Sequence, residues 1–172
     1  MLSKSIVRII PALALLSALG MSNVAFANNQ AKLALAKKAV IAGKVSPYAT
    51  PDLKKVLQQA HAIDDRIQAA YGDMGCEFVE HYYLGHGNAG LEANEIRNWK
   101  ASVPKSGMVK VTFNSIHGGA DLVEFDMVCK GNSCQISDVR HGYSQNPRVL
   151  PKRTGLSLKQ EAQAMINANS CV

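Results

Sequence analysis

The chain has 172 residues, of which 47% are hydrophobic, with 19 basic and 13 acidic side chains and a formal net charge of +6. That length fits one domain behind a short leader. The basic residues are scattered and form no stripe interleaved with aromatic residues, so the composition argues against a nucleic-acid-binding protein.

The first 27 residues have the layout of a secretory signal peptide. Lys4 and Arg8 precede an apolar run of about twelve residues, which is shorter than the roughly 20 that a membrane-spanning helix needs. Ala25 and Ala27 occupy the small-residue positions before a cut that leaves Asn28 first. We therefore expect an exported chain, periplasmic or secreted, without a stable membrane anchor after cleavage.

Residues 28–172 are expected to form a single exported domain that begins with helices. The stretch 28–44 is rich in Ala and Lys and predicts a short helix with a thin apolar face. In the next stretch Thr50 can cap a helix and Pro51 suits its first position. Apolar residues then recur at helical spacing, so a second helix is predicted over residues 51–71.

The middle of the chain changes to a two-residue period. Residues 76–95 predict a loop with one short element. Within residues 95–143, alternating segments such as "GMVKVTF" and "DLVEFDMVC" are separated by glycine-containing connectors of hairpin length. This pattern predicts an antiparallel meander of four strands, and the basic loop "SQNPRVLPKRTG" follows it.

The last element is predicted to be a helix. Ser157 and Gln160 have the spacing of a capping box, and Leu158, Ala162 and Met165 form an apolar stripe. Helices, then strands, then a closing helix is the order of an α+β fold. We thus predict N-terminal helices packed on a four-stranded antiparallel meander, with a C-terminal helix.

The cysteines are interpreted as structural. An even number of cysteines in an exported protein is typical of disulfides. The stretch "VCKGNSCQ" holds Cys129 and Cys134 across a tight turn, which favours that pair among the three possible pairings and leaves Cys76 with Cys171. Zinc sites and catalytic redox pairs both favour Cys-x-x-Cys spacing, which this stretch lacks.

Two motifs resemble those of small exported bacterial domains in the nuclear transport factor two-like superfamily. "YATPDLKKVLQQA" is similar to their opening helix, and "CQISDVRHG" to their last strand, with Ile136 and Asp138 at the motif positions. The likeness covers residues 47–145 and implies a curved antiparallel sheet wrapped around helices as a cone. Relatives use the pocket of such a cone for isomerase or dehydratase chemistry or for binding. Cys134 stands where a tryptophan is usual, and a tethered C-terminal helix would cover the cone, so both departures argue against a catalytic pocket.

Asp138 and His61 are the pocket candidates. If the strand face shared by Ile136, Asp138 and Arg140 lines the cone, the Asp138 carboxylate is a general base or a ligand anchor. Otherwise Asp138 is a charge paired with Arg140 or bonded to loop N–H groups. His61 and Asp65 share a helix face, where they form an acid–base pair if buried and a solvated surface if not.

No catalytic, metal or cofactor site is expected. His81 and His86 flank "YYLG", but no spacing among them and Glu77, Glu80 and Glu92 selects a metal. The sequence has no Ser-His-Asp order, phosphate-binding loop or nucleophile motif.

The partner-binding candidates lie at the end of the meander and in the basic loop, because Arg and Tyr are favoured at protein interfaces. They are Arg140, His141, Tyr143, Arg148, Lys152 and Arg153. The first hypothesis is a non-enzymatic exported binding protein, whose partner is another envelope protein and an acidic one by charge. Such a protein is an envelope accessory factor, or an inhibitor of an envelope-acting enzyme such as a wall hydrolase. The alternative is a small-ligand binder, or an isomerase- or hydratase-like enzyme that uses Asp138 with a histidine.

Overall fold

The structure is a computed structural model that describes residues 16–72, 75–76, 78–85, 96–114 and 118–172, with side chains from residue 28 onward. The helices are α1 (Leu16–Ala42), α2 (Pro51–Tyr71) and α3 (Leu158–Ala168), and short 3-10 turns occupy Ser46–Tyr48 and Glu80–Leu84. The strands are β1 (Arg97–Ser102), β2 (Val109–Asn114), β3 (Ala120–Lys130), β4 (Ser133–Ser144) and β5 (Lys152–Arg153). The predicted α+β class is confirmed.

α2 and α3 begin at the capping residues that the sequence predicted. The Thr50 hydroxyl accepts a hydrogen bond from the Leu53 backbone N–H at the start of α2. At the start of α3, Ser157 and Gln160 form the predicted capping box. α1 runs through the predicted signal-peptide cut, and the helix predicted from residue 28 is its second half. No helix in the described part of the chain is both long and apolar enough to span a bilayer.

Within the described residues the sheet has five strands rather than the predicted four. All neighbours are antiparallel, in the order β1-β2-β3-β4-β5. The extra strand, β5, has only two residues and lies inside the predicted basic loop, so it is too short to show a sequence period. Gly142 allows this pairing, because a β-carbon there would lie 2.3 Å from the Lys152 carbonyl oxygen.

One face of the sheet packs against the helices and forms the core. The strands contribute Val111, Phe113, Val123, Phe125 and Val139, and the helices contribute Val40, Leu53, Leu57, Leu158 and Met165, all at most 1% exposed. The helix-facing residues of β2 and the first half of β3 alternate as the two-residue period predicted.

A β-bulge in β4 changes the faces that the alternation predicted. Asp126 pairs with Asp138, but Met127 pairs with Ile136, so residue 137 is extra. Ile136 therefore joins the core with Val139, while Asp138 points with Arg140 to the other face. The expectation that Ile136, Asp138 and Arg140 share one face is wrong for Ile136.

Both predicted disulfides are present. Cys129 and Cys134 are bonded across the β3–β4 turn, with five residues of sequence separation. Cys76 and Cys171 are bonded across a separation of 95 residues. The second bond fastens the chain beyond α3 to the segment that follows α2.

Candidate functional site

The sheet face turned away from the helices, here called the outer face, carries charges in register. Lys110 pairs with Glu124, and Glu124 pairs with Arg140, so the three lie side by side across β2, β3 and β4. Glu124 is nevertheless only 1% exposed. It is covered by the side chains of Lys110 and Arg153 that reach over it.

Two cations hold Glu124 ionised. The Arg153 Nε donates a hydrogen bond to Oε2, and Lys110 Nζ lies 2.9 Å from Oε1 as an ion pair. Burial alone would raise the pKa of Glu124, but the two cations outweigh it and lower that pKa below its ordinary value. The Arg153–Glu124 contact also fastens β5 to the centre of the sheet.

Arg140 is likewise engaged within the sheet. Its Nη1 lies 2.6 Å from Asp126 Oδ2, and its Nη2 lies 3.6 Å from Asp138 Oδ2. The hydrogen bond with Asp126 raises the pKa of Arg140 and outweighs the opposing effect of burial. Among the partner-binding candidates, Arg140 and Arg153 therefore have intramolecular partners.

A groove crosses the outer face beside β1 and β2. Two adjoining hollows of about 280 and 340 Å³ meet at Lys100, Thr112, Leu150 and Pro151. We call this the outer groove and define it by Lys100, Lys110, Thr112, Arg148, Leu150 and Pro151. No Asp or Glu is among the described residues that line it. Glu124 offsets the charge of Lys110, so Lys100 and Arg148 give the groove its positive potential.

The loop over the groove is shaped by its own hydrogen bonds. Asn146 accepts one of 2.9 Å from the Arg148 N–H through its side chain and one of 3.0 Å from the Val149 N–H through its carbonyl. Proline at positions 147 and 151 restricts the backbone on either side. This arrangement presents Leu150 with 82% of its surface exposed.

The six partner-binding candidates are divided between the two faces. Arg148 lies in the outer groove, and Lys152 is exposed two residues beyond Leu150. His141 and Tyr143 alternate with Val139 and so belong to the helix-facing side. His141 Nε2 lies 2.8 Å from Asp121 Oδ1.

Asp138 has a structural environment. Its Oδ1 accepts hydrogen bonds from the backbone N–H of Val139, at 2.8 Å, and of Lys159, at 3.0 Å. The Lys159 N–H belongs to the first turn of α3, whose orphan donors favour a carboxylate. Asp138 thus joins β4 to the start of α3.

His61 lies elsewhere, on α2, and the structure does not bring it to Asp138. Its Nε2 donates to Glu80 Oε1 at 3.3 Å, and its ring meets the Phe78 ring edge-on at 5.1 Å. The hydrogen bond with Glu80 raises the pKa of His61 against the lowering effect of burial. The two pocket candidates therefore occupy separate local networks.

A second hollow lies on the helix-facing side, between the Glu80–Leu84 turn, β4 and α3. This inner cavity has a volume of about 250 Å³ and is lined by Val79, Tyr82, Tyr83, His141, Thr154, Gly155, Leu156 and Glu161. Glu161 accepts a hydrogen bond from the Tyr83 hydroxyl. Burial raises the pKa of Glu161.

Sequence reasoning missed Asp121, Glu161 and Tyr83, which lie at or beside this cavity. Asp121 alternates with Val123 and Phe125, a buried-face position that marks an enclosed carboxylate. Glu161 follows Leu158 by three residues on the apolar stripe of α3, which gives a similar signal. Tyr83 has no comparable signal, because its partner lies 78 residues away.

No group of three or more His, Cys, Asp or Glu side chains within the described ranges is placed to hold a metal ion. Three of the residues considered above as metal ligands lie outside those ranges: Glu77, His86 and Glu92. Comparison with protein-family models, with curated proteins and with solved structures finds no match to this chain.

Proposed function

We propose that this chain is a periplasmic or secreted protein that binds an acidic segment of another envelope protein in the outer groove. One observation carries the proposal. Lys100, Lys110 and Arg148 surround a groove without a described acidic residue, and the apolar side chain of Leu150 stands exposed beside it. An acidic segment with an apolar residue complements both features.

The disulfides support the proposed compartment. All four cysteines are bonded in pairs, and such bonds persist in oxidising compartments. A protein with these bonds meets partners in the periplasm or outside the cell. The proposed role is that of an accessory factor or an inhibitor of an envelope-acting enzyme.

The chemistry of the groove supports binding rather than catalysis. Its charged groups are the ammonium groups of Lys100 and Lys110 and the guanidinium of Arg148, and Asn98, Ser102, Thr112 and Asn114 add neutral polar side chains. These groups donate hydrogen bonds to carboxylates, but no general base is among the described lining residues. The stiffened loop over the groove reduces the entropy lost on binding.

Fluorescence anisotropy with two defined peptides tests the proposal. Each peptide has ten residues with a central Leu, and the flanking residues are Glu in one and Lys in the other. The acidic peptide is expected to bind, more weakly as salt rises, and the basic peptide is expected not to bind. Equal binding of both peptides, or binding to neither, would contradict the proposal.

Matched variants locate the site. The double charge reversal Lys100→Glu and Arg148→Glu is expected to weaken binding at least tenfold, about 1.4 kcal/mol. The same reversal at Lys54 and Lys55, exposed on α2, is expected to leave it within about twofold. A weakening by the control pair as large as that by the groove pair would place the site elsewhere.

The apolar contact has its own control. Leu150→Ala is expected to weaken binding of the acidic peptide severalfold. Val128→Ala, which shortens another exposed apolar side chain on the β3–β4 hairpin, is expected to leave it unchanged. Vesicles of anionic lipid serve as a competing surface, and binding to them without binding to the acidic peptide would overturn the choice of a protein partner.

A further inference from the structure

The inner cavity contains the carboxyl group of Glu161. Glu161 is half-buried, and no Lys or Arg forms an ion pair with it in the part of the chain that the structure describes. Burial disfavours the charged carboxylate and raises its pKa, and the Tyr83 hydroxyl donates a hydrogen bond to it. An uncompensated carboxylate in a cavity is a receptive position for a cation.

The cavity is large enough for an organic ligand. Its volume of about 250 Å³ is many times the roughly 10–15 Å³ that one water requires by the same measure. Val79 and Leu156 give it apolar walls, and Tyr82 and Tyr83 add aromatic ones. Aromatic ring faces attract cations, most strongly where water is excluded.

The histidine in the cavity wall adds no net positive charge. His141 lines the cavity, and its Nε2 is hydrogen-bonded to the carboxylate of Asp121, which is 3% exposed. The negative charge of Asp121 offsets any positive charge on the imidazole. With Glu161 nearby, the cavity is therefore hostile to anions.

We propose that the inner cavity binds a small organic ammonium ion, with Glu161 as its counter-ion and Tyr82 and Tyr83 as its aromatic wall. A primary amine and a quaternary ammonium share this chemistry. The site lies on the opposite side of the sheet from the outer groove, so it goes beyond the proposed partner binding and stands or falls separately.

NMR titration of the disulfide-bonded protein tests the proposal. The probes are propylammonium chloride and tetramethylammonium chloride, each matched in ionic strength with sodium chloride, and sodium acetate is the anionic probe. We expect saturable shifts at Tyr82, Tyr83 and His141, with no shift at Lys100 or Leu150. Saturation by propylammonium alone indicates a primary amine ligand, and saturation by tetramethylammonium indicates a quaternary one.

Variants test the role of Glu161. Glu161→Gln keeps the shape of the side chain and is expected to weaken binding at least tenfold. Asp65→Asn, which removes an exposed acid on α2, is expected to change nothing. Tyr83→Phe keeps the ring and is expected to weaken binding by less than Glu161→Gln.

Three results would overturn the proposal: no saturable shift with either cation up to about 100 mM, equal binding of acetate, or unchanged affinity in Glu161→Gln. If Glu161→Gln does not fold, the shift map of the unmodified protein decides. Shifts confined to residues outside the cavity then count against the site.

Discussion

The Glu80 carboxylate accepts a hydrogen bond of 2.6 Å from the Val45 backbone N–H, which ties the turn after α2 to the turn after α1. The Ser46 N–H, at 2.8 Å, and the Ser46 hydroxyl donate to the same carboxylate, and His61 Nε2 donates at 3.3 Å. Glu80 is thus an anchor between two segments that lie 34 to 35 residues apart.

This anchor makes stability depend on pH. Burial alone would raise the pKa of Glu80, but the hydrogen bonds from His61, Ser46 and Val45 lower it from 4.5 to about 2. Because the pKa is lower in the folded state, the stabilisation is present above pH 4.5 and is lost as the pH falls towards 2. His61 has the opposite sign, since its raised pKa stabilises the fold below pH 6.5 and less as the pH rises through the folded value.

Glu80→Gln is therefore expected to lower the free energy of unfolding by about 3 kcal/mol near pH 6. It is also expected to make that free energy depend less on pH in the acid range. Urea denaturation between about pH 2 and 8 measures both effects. Asp65→Asn is the control on α2, with an expected change below about 0.5 kcal/mol. If Glu80→Gln changes neither the stability near pH 6 nor its fall at low pH, Glu80 does not anchor the two segments.

The two disulfides are expected to differ in their contributions. In the chain-entropy model, a loop of about 100 residues gives about 4.7 kcal/mol, which suits the separation of 95 between Cys76 and Cys171. The five-residue separation of Cys129 and Cys134 gives about 2 kcal/mol. Chemical denaturation of the two double Cys→Ala variants measures the difference. An equal loss in both variants would contradict the entropic explanation.

Glu124 and its two cations predict an asymmetry. Replacing both Lys110 and Arg153 by Met removes the two positive charges but keeps apolar side chains over the Glu124 carboxylate, and we expect a loss of about 2 kcal/mol. That figure is below the range of fully buried pairs because both cations are about half exposed. Glu124→Leu leaves only solvated cations and is expected to change stability by less than about 1 kcal/mol. Thermal unfolding of both variants measures the two losses of stability. A larger loss in Glu124→Leu than in the double variant would contradict the burial of Glu124.

Asp138 is expected to act on the last helix. Asp138→Ala removes the acceptor of the Lys159 N–H and should lower stability by about 1–2 kcal/mol. Hydrogen exchange should show the loss of protection concentrated in the first turn of α3. Unchanged protection there, together with weaker binding of the acidic peptide, would instead assign Asp138 to function.

The sequence predicted the features that depend on neighbouring residues. The caps at Thr50 and Ser157 involve donors only three residues away, and the Cys129–Cys134 pair follows from one turn. These interactions can be read from local spacing, as can the alternation of β2. The predicted fold class followed from their order along the chain.

Features that depend on contacts between distant parts of the chain could not be predicted from local spacing. The bulge at residue 137 moves Ile136 into the core, although the alternation gives no sign of it. Glu124 lies at a position of β3 that the two-residue alternation predicts to be exposed, but it is buried by Arg153, 29 residues away. His141 pairs with Asp121 rather than with Asp138, because register across β3 and β4, not proximity in sequence, brings side chains together.

An NMR titration of the disulfide-bonded protein with the acidic ten-residue peptide tests partner binding in the outer groove most directly. We predict that the backbone amides that shift most belong to Lys100, Lys110, Thr112, Arg148 and Leu150, and that the Lys100→Glu and Arg148→Glu double variant abolishes these shifts. Shifts that map instead to α2 or to the β3–β4 turn, or no shifts at all, would contradict it.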